Sequence, residues 1–436
     1  MAEAGIAAGD ETEVAWQLER RRRGVADRWG LGREVVVFGA GETVPVPGRG
    51  DLTYPFRAHS EYFYLTDRER PGGVLAFDPD TGWVDFVVPV SRDERLWEGA
   101  PADEQVGVPV EDFEAWRSAR RDRPVGSLGA PVLGVAPRPE LTIELRSGLN
   151  HVRRRKDAVE LERMRVAERA TSAGFAAIVP VLSPGRTERE VQIELEAEFF
   201  RRGADALAFG TIVASGTNSA VLHNAPTTKK LCDGELVLID AGGEYRGYAS
   251  DVTRTYPASG RFTPEQAAIH ELVHSAARVA TRSCTSGTEW RDVHRTGARV
   301  IAEGLAEFGL LRGRPEALVE SGAVSLFFPH GIGHMVGLGV RDASEILPDR
   351  EPNATVTPGL RTDMPLAPGH VVTVEPGIYF VPALLGEPET RERLRNEVDW
   401  DRAEAMLGFG GIRIENNVLV TEDGYEVLTS DIPVLS

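Results

Sequence analysis

The sequence is poor in cysteine and has no long apolar run. Its two cysteines, Cys232 and Cys284, show no C-x-x-C spacing, which excludes a disulfide framework as the basis of the fold. No apolar run approaches the about 20 residues that a membrane helix needs. The acidic first ten residues also lack the charged and apolar regions of a signal peptide. We therefore expect a cytoplasmic protein with no membrane partner.

Positive charge is also scarce. The chain has 49 Lys and Arg against 67 Asp and Glu, a formal net charge of −18, which argues against nucleic acid or an anionic membrane surface as a partner. The basic clusters Arg20–Arg23 and Arg153–Lys156 are interpreted as solvated helix faces. A length of 436 residues predicts two domains, which we place at 1–148 and 149–436.

The first domain mixes strands with shorter helical segments. The patterns predict a helix over Gln17–Trp29, a strand over Glu34–Phe38, an aromatic strand over Tyr54–Leu65 and a hairpin made of Val74–Phe77 and Trp83–Val88. This mixture is typical of an α/β domain.

The second domain carries repeated signals for the start of a helix. In each, a capping residue is followed three positions later by Glu or Gln, and the pairs are Asp157 with Glu160, Thr187 with Glu190, and Thr263 with Gln266. A further helix is predicted over Thr288–Phe308.

Two strands of this domain each carry an aspartate. We predict a hairpin of Leu236–Ala241 and Tyr248–Thr255, which places Asp240 and Asp251 among apolar and small residues. A carboxylate in such surroundings costs several kcal/mol to desolvate unless a positive charge meets it, and two carboxylates also repel each other. A bound metal cation resolves both problems.

Three later stretches could complete a metal site. His330 and His334 lie in Pro-His-Gly-Ile-Gly-His, Glu375 ends an apolar strand, and Glu415 interrupts another. The four carboxylates carry four negative charges, which two divalent ions would cancel. We therefore predict a dinuclear centre with oxygen ligands and one imidazole, a set that suits Mn, Co, Zn or Fe. The alternative is that the carboxylates form buried ion pairs with Arg254 and Arg413.

The order Asp240, Asp251, His334, Glu375, Glu415, with Asp-x-Gly and Glu-Pro-Gly-Ile-Tyr, resembles the metallopeptidases that include aminopeptidase P, prolidase and methionine aminopeptidase. The resemblance implies an α+β pita-bread catalytic domain that follows an α/β N-terminal domain like that of creatinase and aminopeptidase P. It also implies that these five residues bind two divalent ions, of which Mn is the first choice and Zn or Co are alternatives. A homodimer or homotetramer is a further implication.

The resemblance also implies roles for single residues. Glu375 resembles the glutamate that both binds metal and passes the proton. His330 resembles the histidine that stabilises the tetrahedral intermediate, and His223 resembles a histidine near the leaving-group pocket. The alternative for His223 is a loop histidine with no role in catalysis. A dinucleotide-binding loop at Gly331–Gly337 is rejected because the glycine spacing does not fit.

Specificity is predicted to depend on arginines. The stretch Pro358–Leu366 resembles the prolidase segment whose arginine holds the proline carboxylate, so Arg361 is a candidate clamp. Arg413 is a further candidate for substrate binding. At Arg341, family members that cleave before proline usually carry histidine; we expect this arginine to contact a substrate carboxylate, or alternatively to pair with Asp342 or Glu345.

These inferences predict a metal-dependent exopeptidase that acts on peptides and removes an N-terminal residue ahead of proline. The N-terminal Tyr54–Arg57 resembles aminopeptidase P, whereas Asn396–Trp400 resembles bacterial prolidase, a dipeptidase. Methionine aminopeptidase fits less well because it usually lacks the N-terminal domain. Altered specificity caused by Arg341 and a catalytically inactive, peptide-binding or chaperone-like protein are the remaining alternatives.

Overall fold

The computed structural model describes residues 11–97, 99, 107–347, 349–350 and 359–435. The first ten residues and Pro358, both used above, lie outside these ranges. The chain divides into two compact units, Met1–Arg153 and Arg154–Ser436. The predicted boundary after residue 148 falls within a helix, Pro139–Arg154, and stays a prediction. In the described part of the chain, no helix is long and apolar enough to cross a membrane.

The first unit is built on a mixed sheet. Its strands are β1 Val35–Gly39, β2 Val74–Asp78, β3 Gly82–Val87, β4 Val108–Pro109 and β5 Val125–Gly129, in the order β4-β3-β2-β1-β5. β1 runs parallel to β5 and antiparallel to β2. The helices are α1 Glu11–Trp29, α2 Ser60–Thr66, α3 Arg92–Trp97, α4 Phe113–Ser118 and α5 Pro139–Arg154, with a 3-10 turn at Val110–Asp112. The predicted helix, first strand and β2–β3 hairpin are confirmed.

The predicted aromatic strand over residues 54–65 is wrong. Tyr54 is exposed, and the chain enters helix α2 at Ser60. The ring of His59 accepts a hydrogen bond from the backbone N–H of Glu61, and Asp67 ends the helix in the left-handed conformation. The aromatic residues Tyr62 and Tyr64 of this helix are buried. The aromatic residues of this stretch are therefore explained by burial on a helix and not by the alternating faces of a strand.

The prediction that the basic clusters are solvated helix faces holds for Arg20, Arg23 and Arg155, which are exposed, but it is wrong for four other members. Arg21, Arg153, Arg154 and Lys156 are all buried. The guanidinium of Arg21, for example, donates to the carbonyl oxygen of Tyr64 at 3.0 Å. These long side chains have specific polar partners, which is the condition under which a charged group can be buried.

The second unit contains helices α6 Ala158–Ile178, α7 Glu188–Arg201, α8 Pro264–Arg282, α9 Trp290–Glu307, α10 Pro315–Glu320, α11 Pro382–Leu385, α12 Pro388–Arg393 and α13 Trp400–Ala405. Short 3-10 turns lie at Val179–Val181, Gly216–Ala220 and Val324–Leu326. The three predicted capping boxes are confirmed, because each capping side chain accepts from the third backbone N–H and each Glu or Gln returns the bond.

The strands of the second unit form several small antiparallel sheets. They are β6 Ala206–Leu207, β7 Ile212–Ser215, β8 Leu236–Ala241, β9 Gly243–Tyr245, β10 Tyr248–Ala249, β11 Val252–Pro257, β12 Val371–Val374, β13 Gly377–Tyr379, β14 Gly411–Arg413, β15 Asn416–Val420 and β16 Tyr425–Val427. The sheet orders are β10-β9-β6, β11-β8-β7, β12-β15-β16 and β13-β14. One apolar core packs Trp290 and Ile301 of α9 with Val372 and Val374 of β12. A second packs Phe175 and Phe199 with the β8 residue Val237.

Candidate metal centre and active site

The predicted site residues line one cavity of about 560 Å³ in the second unit. They are His223, Asp240, Asp251, His330, His334, Arg341, Arg361, Glu375, Arg413 and Glu415. We call Asp240, Asp251, His334, Glu375 and Glu415 the ligand cluster, and His223, Arg341 and Arg361 the pocket rim. Residues from stretches nearly 200 positions apart therefore meet at one place.

The predicted hairpin of residues 236–255 contains an interruption that the sequence did not predict. β8 pairs with β11, and β9 pairs with β10, so Asp251 lies between two strands rather than inside one. The break comes with a close approach of the backbone, since a Cβ at Gly242 would lie 1.8 Å from the carbonyl oxygen of Ser250. The interruption frees Asp251 from the alternation of a strand and leaves its side chain in the cavity with that of Asp240.

The backbone at each histidine or carboxylate ligand is tied to a neighbouring element. Asn417 donates to the Asp251 carbonyl at 2.7 Å and accepts from the Asp251 N–H at 3.0 Å. The backbone N–H of His334 donates to Thr373 at 3.1 Å. The N–H of Glu375 donates to Ile332 and that of Glu415 to Thr253. Glu375 directly follows β12, and Glu415 directly precedes β15. Each therefore lies in a break between two strands, as the sequence predicted.

The imidazole of His334 is oriented as a metal ligand would be. Its Nδ1 lies 3.0 Å from the carbonyl oxygen of Met335, which can only accept, so Nδ1 carries the proton. Burial lowers the pKa of His334, and the neutral ring presents the lone pair of Nε2 to the Asp251 carboxylate at 3.4 Å and to Glu375 at 3.9 Å. A lone pair that faces two carboxylates is repulsive without a cation between them.

The charges of the ligand cluster point to the same conclusion. Ligand atoms of Asp251, His334 and Glu415 lie within 4.8 Å of one another, close enough to share one ion. Burial and the neighbouring carboxylates raise the pKa of Asp251 and of Glu415 well above the ordinary values. No described residue donates a hydrogen bond to the buried Oδ1 of Asp240. The donor set is oxygen-rich with one imidazole, and it fits divalent metal ions.

The alternative of buried ion pairs accounts for one carboxylate. Arg413 donates from Nη2 to Asp240 at 2.6 Å, although burial opposes its charge. Arg254 contacts no carboxylate of a described residue; it donates to the carbonyl oxygens of Thr253 and Glu415 and to Asn416. Within the described part of the chain, the other carboxylates of the ligand cluster therefore have no guanidinium partner.

A hydrogen-bonded chain links the ligand cluster to His330. Arg413 donates from Nη1 to the hydroxyl of Tyr379 at 2.9 Å, and this hydroxyl lies 3.0 Å from Nε2 of His330. Nδ1 of His330 lies 2.9 Å from the Gly331 carbonyl oxygen, so Nδ1 is the protonated nitrogen and Nε2 accepts from Tyr379. Burial lowers the pKa of His330 to about 3, and the ring is neutral. The expected donation to an oxyanion therefore requires His330 to leave one of these partners.

The pocket rim differs from this interior. His223, Arg341 and Arg361 are exposed, and in the described structure no hydrogen bond or ion pair holds any of them. Burial and then the charge of Arg413 lower the pKa of His223, and both rim arginines lower it further. The same two arginines also lower the pKa of His334.

Sequence reasoning missed the polar residues that support the ligands. These are Thr253, which donates to Glu415 at 2.7 Å, Thr373, Tyr379 and Asn417. Tyr379 ends the motif that begins at Glu375, and its place there was the one available signal. The others read as ordinary β-strand residues, because nothing in a single sequence shows which strands will be neighbours.

The fold and the site together define a metallopeptidase, and comparison with known proteins gives the family. Residues 162–422 match the sequence model of Metallopeptidase family M24, and residues 18–115 match that of the aminopeptidase P N-terminal domain. The chain belongs to the M24 family and is a hydrolase that acts on peptides. The predicted family, the α/β N-terminal domain and the pita-bread catalytic domain are confirmed.

Individual relatives cover nearly the whole chain. A probable Xaa-Pro aminopeptidase of Botryotinia fuckeliana is 33% identical over 398 residues, which are 87% of this chain and 86% of the relative. The structure of aminopeptidase PepP from Pseudomonas aeruginosa is 30% identical with a TM-score of 0.78 and 96% coverage of both chains. A zinc-substituted Escherichia coli aminopeptidase P in complex with product is 26% identical, with a TM-score of 0.78 and coverage of 99% of this chain and 97% of that one.

Proposed function

We propose that this protein is a divalent-metal-dependent Xaa-Pro aminopeptidase, which hydrolyses the bond before proline at the N-terminus of a peptide. The observation that carries the proposal is the convergence of the five residues of the ligand cluster in one cavity. The relatives are named for this activity and match both units of the chain. The intact ligand cluster and His330 disfavour an inactive peptide-binding protein.

The ligand cluster would hold two divalent ions, Mn by first choice, because four carboxylates with one arginine partner retain a large negative charge. Such ions lower the pKa of a coordinated water toward about 7 and polarise a carbonyl. Every other contribution comes from the chain. The residues proposed to bind the ions are Asp240, Asp251, His334, Glu375 and Glu415.

Glu375 is the residue proposed to move the proton. Its carboxylate lines the cavity, and Oε2 lies 3.8 Å from Nδ1 of His330. A carboxylate so close to the cavity can act as a general base that relays a proton. Arg413 holds Asp240 and, through Tyr379, fixes His330, whereas His223 is proposed to contact the leaving group.

The dipeptidase alternative rests on Arg361, which lines the cavity where a proline carboxylate could bind. A cytoplasmic location and a homodimer or homotetramer complete the proposal.

The test is turnover by chelator-treated enzyme to which Mn, Zn or Co is returned. We expect hydrolysis of Ala-Pro peptides, no hydrolysis of matched Ala-Ala peptides, and about two ions per chain by elemental analysis. An enzyme that is fully metallated but cleaves neither series would overturn the proposed function. Cleavage of Ala-Ala peptides at an equal rate would overturn the preference for proline.

A further inference from the structure

Glu188 is a buried carboxylate to which the chemistry of the metal centre gives no role. It is the first residue of α7 and is completely buried. No described residue forms an ion pair with it. A buried carboxylate without a cationic partner is tolerated only where hydrogen bonds replace the water that it has lost, so the donors around Glu188 show what it holds.

Five hydrogen bonds from described residues reach this carboxylate, and its two oxygens serve different parts of the chain. Oε1 accepts from the backbone N–H of Ser215 at 2.8 Å, from the Ser215 hydroxyl at 2.9 Å and from the side-chain amide of Asn218 at 2.9 Å. Oε2 accepts from the backbone N–H of Thr227 at 3.0 Å and from its hydroxyl at 2.6 Å. We call these five hydrogen bonds the Glu188 bridge. Burial opposes the charge of Glu188, but the bridge outweighs burial and lowers the pKa of the carboxyl below its ordinary value.

The bridge does not cap the helix to which Glu188 belongs. Thr187 is the N-cap residue of α7, and it forms the capping box with Glu190. The described partners of the Glu188 carboxylate all lie between residues 215 and 227. The bridge therefore stabilises the segment that follows β7 and not the start of α7.

The partners of Glu188 mark the two ends of a loop that carries His223. We call residues 216–227 the His223 loop, and its middle part lines the cavity through residues 222–225. In the described structure, the hydrogen bonds of residues 221–225 stay within the loop. The position of His223 is therefore decided at the two ends of the loop.

Other bonds support one end or the other. Near the start of the loop, the Ser219 hydroxyl accepts from the backbone N–H of Gly411 at 2.8 Å. Near its close, the guanidinium of Arg189 donates to the carbonyl oxygen of Pro226 at 2.9 Å. Glu188 joins the start and the close through one side chain.

Building on the proposed function, in which His223 contacts the leaving group, we propose that Glu188 is a positioning residue, which holds both ends of the His223 loop and thereby places the imidazole in the cavity. Glu188 itself touches no substrate. Because the ends are fixed before a substrate arrives, less entropy is lost when the imidazole is aligned with the reacting bond. Loss of the bridge therefore slows the reaction and removes no metal ligand.

Glu188→Gln tests the bridge, because glutamine has nearly the same shape but cannot satisfy both ends. A carboxylate only accepts hydrogen bonds, whereas an amide also carries two donor hydrogens. In either orientation the amide nitrogen faces the N–H of Ser215 or that of Thr227 and releases that end. We expect kcat for Ala-Pro-Ala with the manganese-loaded enzyme to fall about tenfold, the effect of one lost hydrogen bond to a group that develops charge. KM and metal content should be unchanged.

A double-mutant cycle with His223→Ala separates positioning from a purely structural role. His223→Ala should lower kcat about tenfold, and Glu188→Gln should then lower it by less than about twofold, because no imidazole is left to place. An equal factor in both backgrounds would assign Glu188 a structural role and overturn the inference. Glu190→Gln, at an exposed position in the same turn of α7, is the matched control and should leave kcat unchanged.

Thr227→Val keeps the inference testable if Glu188→Gln does not fold. It removes one hydrogen bond of the bridge at an exposed position. We expect kcat to fall about threefold, and not to fall further when His223→Ala is present. The neighbouring exposed Thr228→Val is the control. Equal turnover by these two threonine variants would overturn the inference.

Two outcomes separate this inference from the proposed function. Normal turnover by His223→Ala leaves the peptidase intact and overturns the positioning role. Failure of the metal-loaded wild type to cleave any Xaa-Pro peptide overturns the proposed function, and the bridge is then decided by hydrogen exchange at the backbone amides of Val221 and Asn224, which bond within the loop. Faster exchange in Glu188→Gln but not in Glu190→Gln supports the bridge, and equal exchange overturns it.

Discussion

The ligand cluster and the pocket rim share a cavity but are built in opposite ways. Each histidine or carboxylate of the cluster that interrupts a strand has its backbone bonded to another element, as Asp251 is to Asn417. The side chains of the rim are exposed and contact no polar partner in the described structure. The cluster is thus fixed before any ligand arrives, whereas the rim is able to adapt.

This difference separates chemistry from selection. Metal ions need ligand atoms placed to within a few tenths of an ångström, and only a network anchored through the backbone supplies that. A substrate carboxylate tolerates a mobile arginine, because the gain is electrostatic and acts over a longer distance. We therefore expect changes in the cluster to abolish activity and changes in the rim to alter the ranking of substrates.

The largest effect is expected from Glu415→Gln. The variant keeps the shape of the side chain, and its contact with Thr253 is replaceable, but it removes one ligand charge. Metal ions contribute several kcal/mol of transition-state stabilisation, so kcat/KM should fall by roughly a thousandfold or more, together with metal content. Because burial and then crowding by other carboxylates raise the pKa of Glu415, the metal-free variant should be no less stable than the wild type.

Glu426→Gln is the matched control, since Glu426 is exposed and its one ion pair among the described residues is with Arg165 at 3.3 Å. Full metal content and normal turnover in Glu415→Gln would show that Glu415 is not part of the cluster.

The second prediction concerns the backbone that the cluster requires. In Gly242→Ala the new Cβ would overlap the carbonyl oxygen of Ser250 at 1.8 Å, which no side-chain rotation relieves. We expect a loss of about 3 kcal/mol in the free energy of unfolding, and weaker metal binding because Asp251 follows Ser250. Denaturant unfolding measures the first and metal titration the second.

Gly408→Ala is the control, because a Cβ there meets nothing within 4 Å. If Gly242→Ala unfolds and binds metal like Gly408→Ala, the cluster adapts more than we infer, and its contrast with the rim is lost.

A third prediction tests the interior behind the cluster. Glu168 is buried and accepts from Ser250 at 2.9 Å, and burial raises its pKa from 4.5 to about 8. The folded protein therefore keeps a proton that the unfolded chain releases near pH 4.5, so stability falls as the pH rises from 4.5 to 8. Glu168→Gln should remove about 5 kcal/mol of this dependence in the metal-free protein.

The measurement is the denaturation midpoint across that pH range. Glu162→Gln, on the exposed face of the same helix, should leave the slope unchanged. An equal slope in wild type and Glu168→Gln would show that Glu168 is ionised in the fold.

The sequence predicted the cluster better than it predicted the elements around it. A carboxylate in an apolar strand is costly to bury, and the sequence alone shows where this happens. Asp240, Glu375 and Glu415 could therefore be identified as candidate ligands. The capping boxes could also be predicted, because each depends on two residues only three positions apart. The break at Asp251 was missed because it depends on the approach of Gly242 to Ser250, a contact between two strands.

The errors in the first unit and the missed partners have the same origin. Tyr62 and Tyr64 suggested a strand because aromatic residues favour strands, yet the caps at His59 and Asp67 produced a helix. Lys156 and Arg154 were interpreted as solvated because their partners, Asp342 and Glu345, lie far along the chain. Tertiary pairing decides whether a charge is buried, and no local pattern records it.

The smallest predicted effect lies at Tyr379, which links Arg413 to His330 beside the ligand cluster. Tyr379→Phe removes the acceptor of Arg413 Nη1 and the donor to His330. Leaving a buried guanidinium donor unpaired costs about 1–3 kcal/mol, but no ligand is lost, so metal content should stay normal while kcat falls. His330, released from Tyr379, should also titrate at a higher pH, which shifts the acid limb of the pH–rate profile.

The exposed Tyr425→Phe is the control. Lost metal in Tyr379→Phe would mean that the hydroxyl supports the cluster itself, whereas unchanged kcat would mean that the chain from Arg413 to His330 is structural.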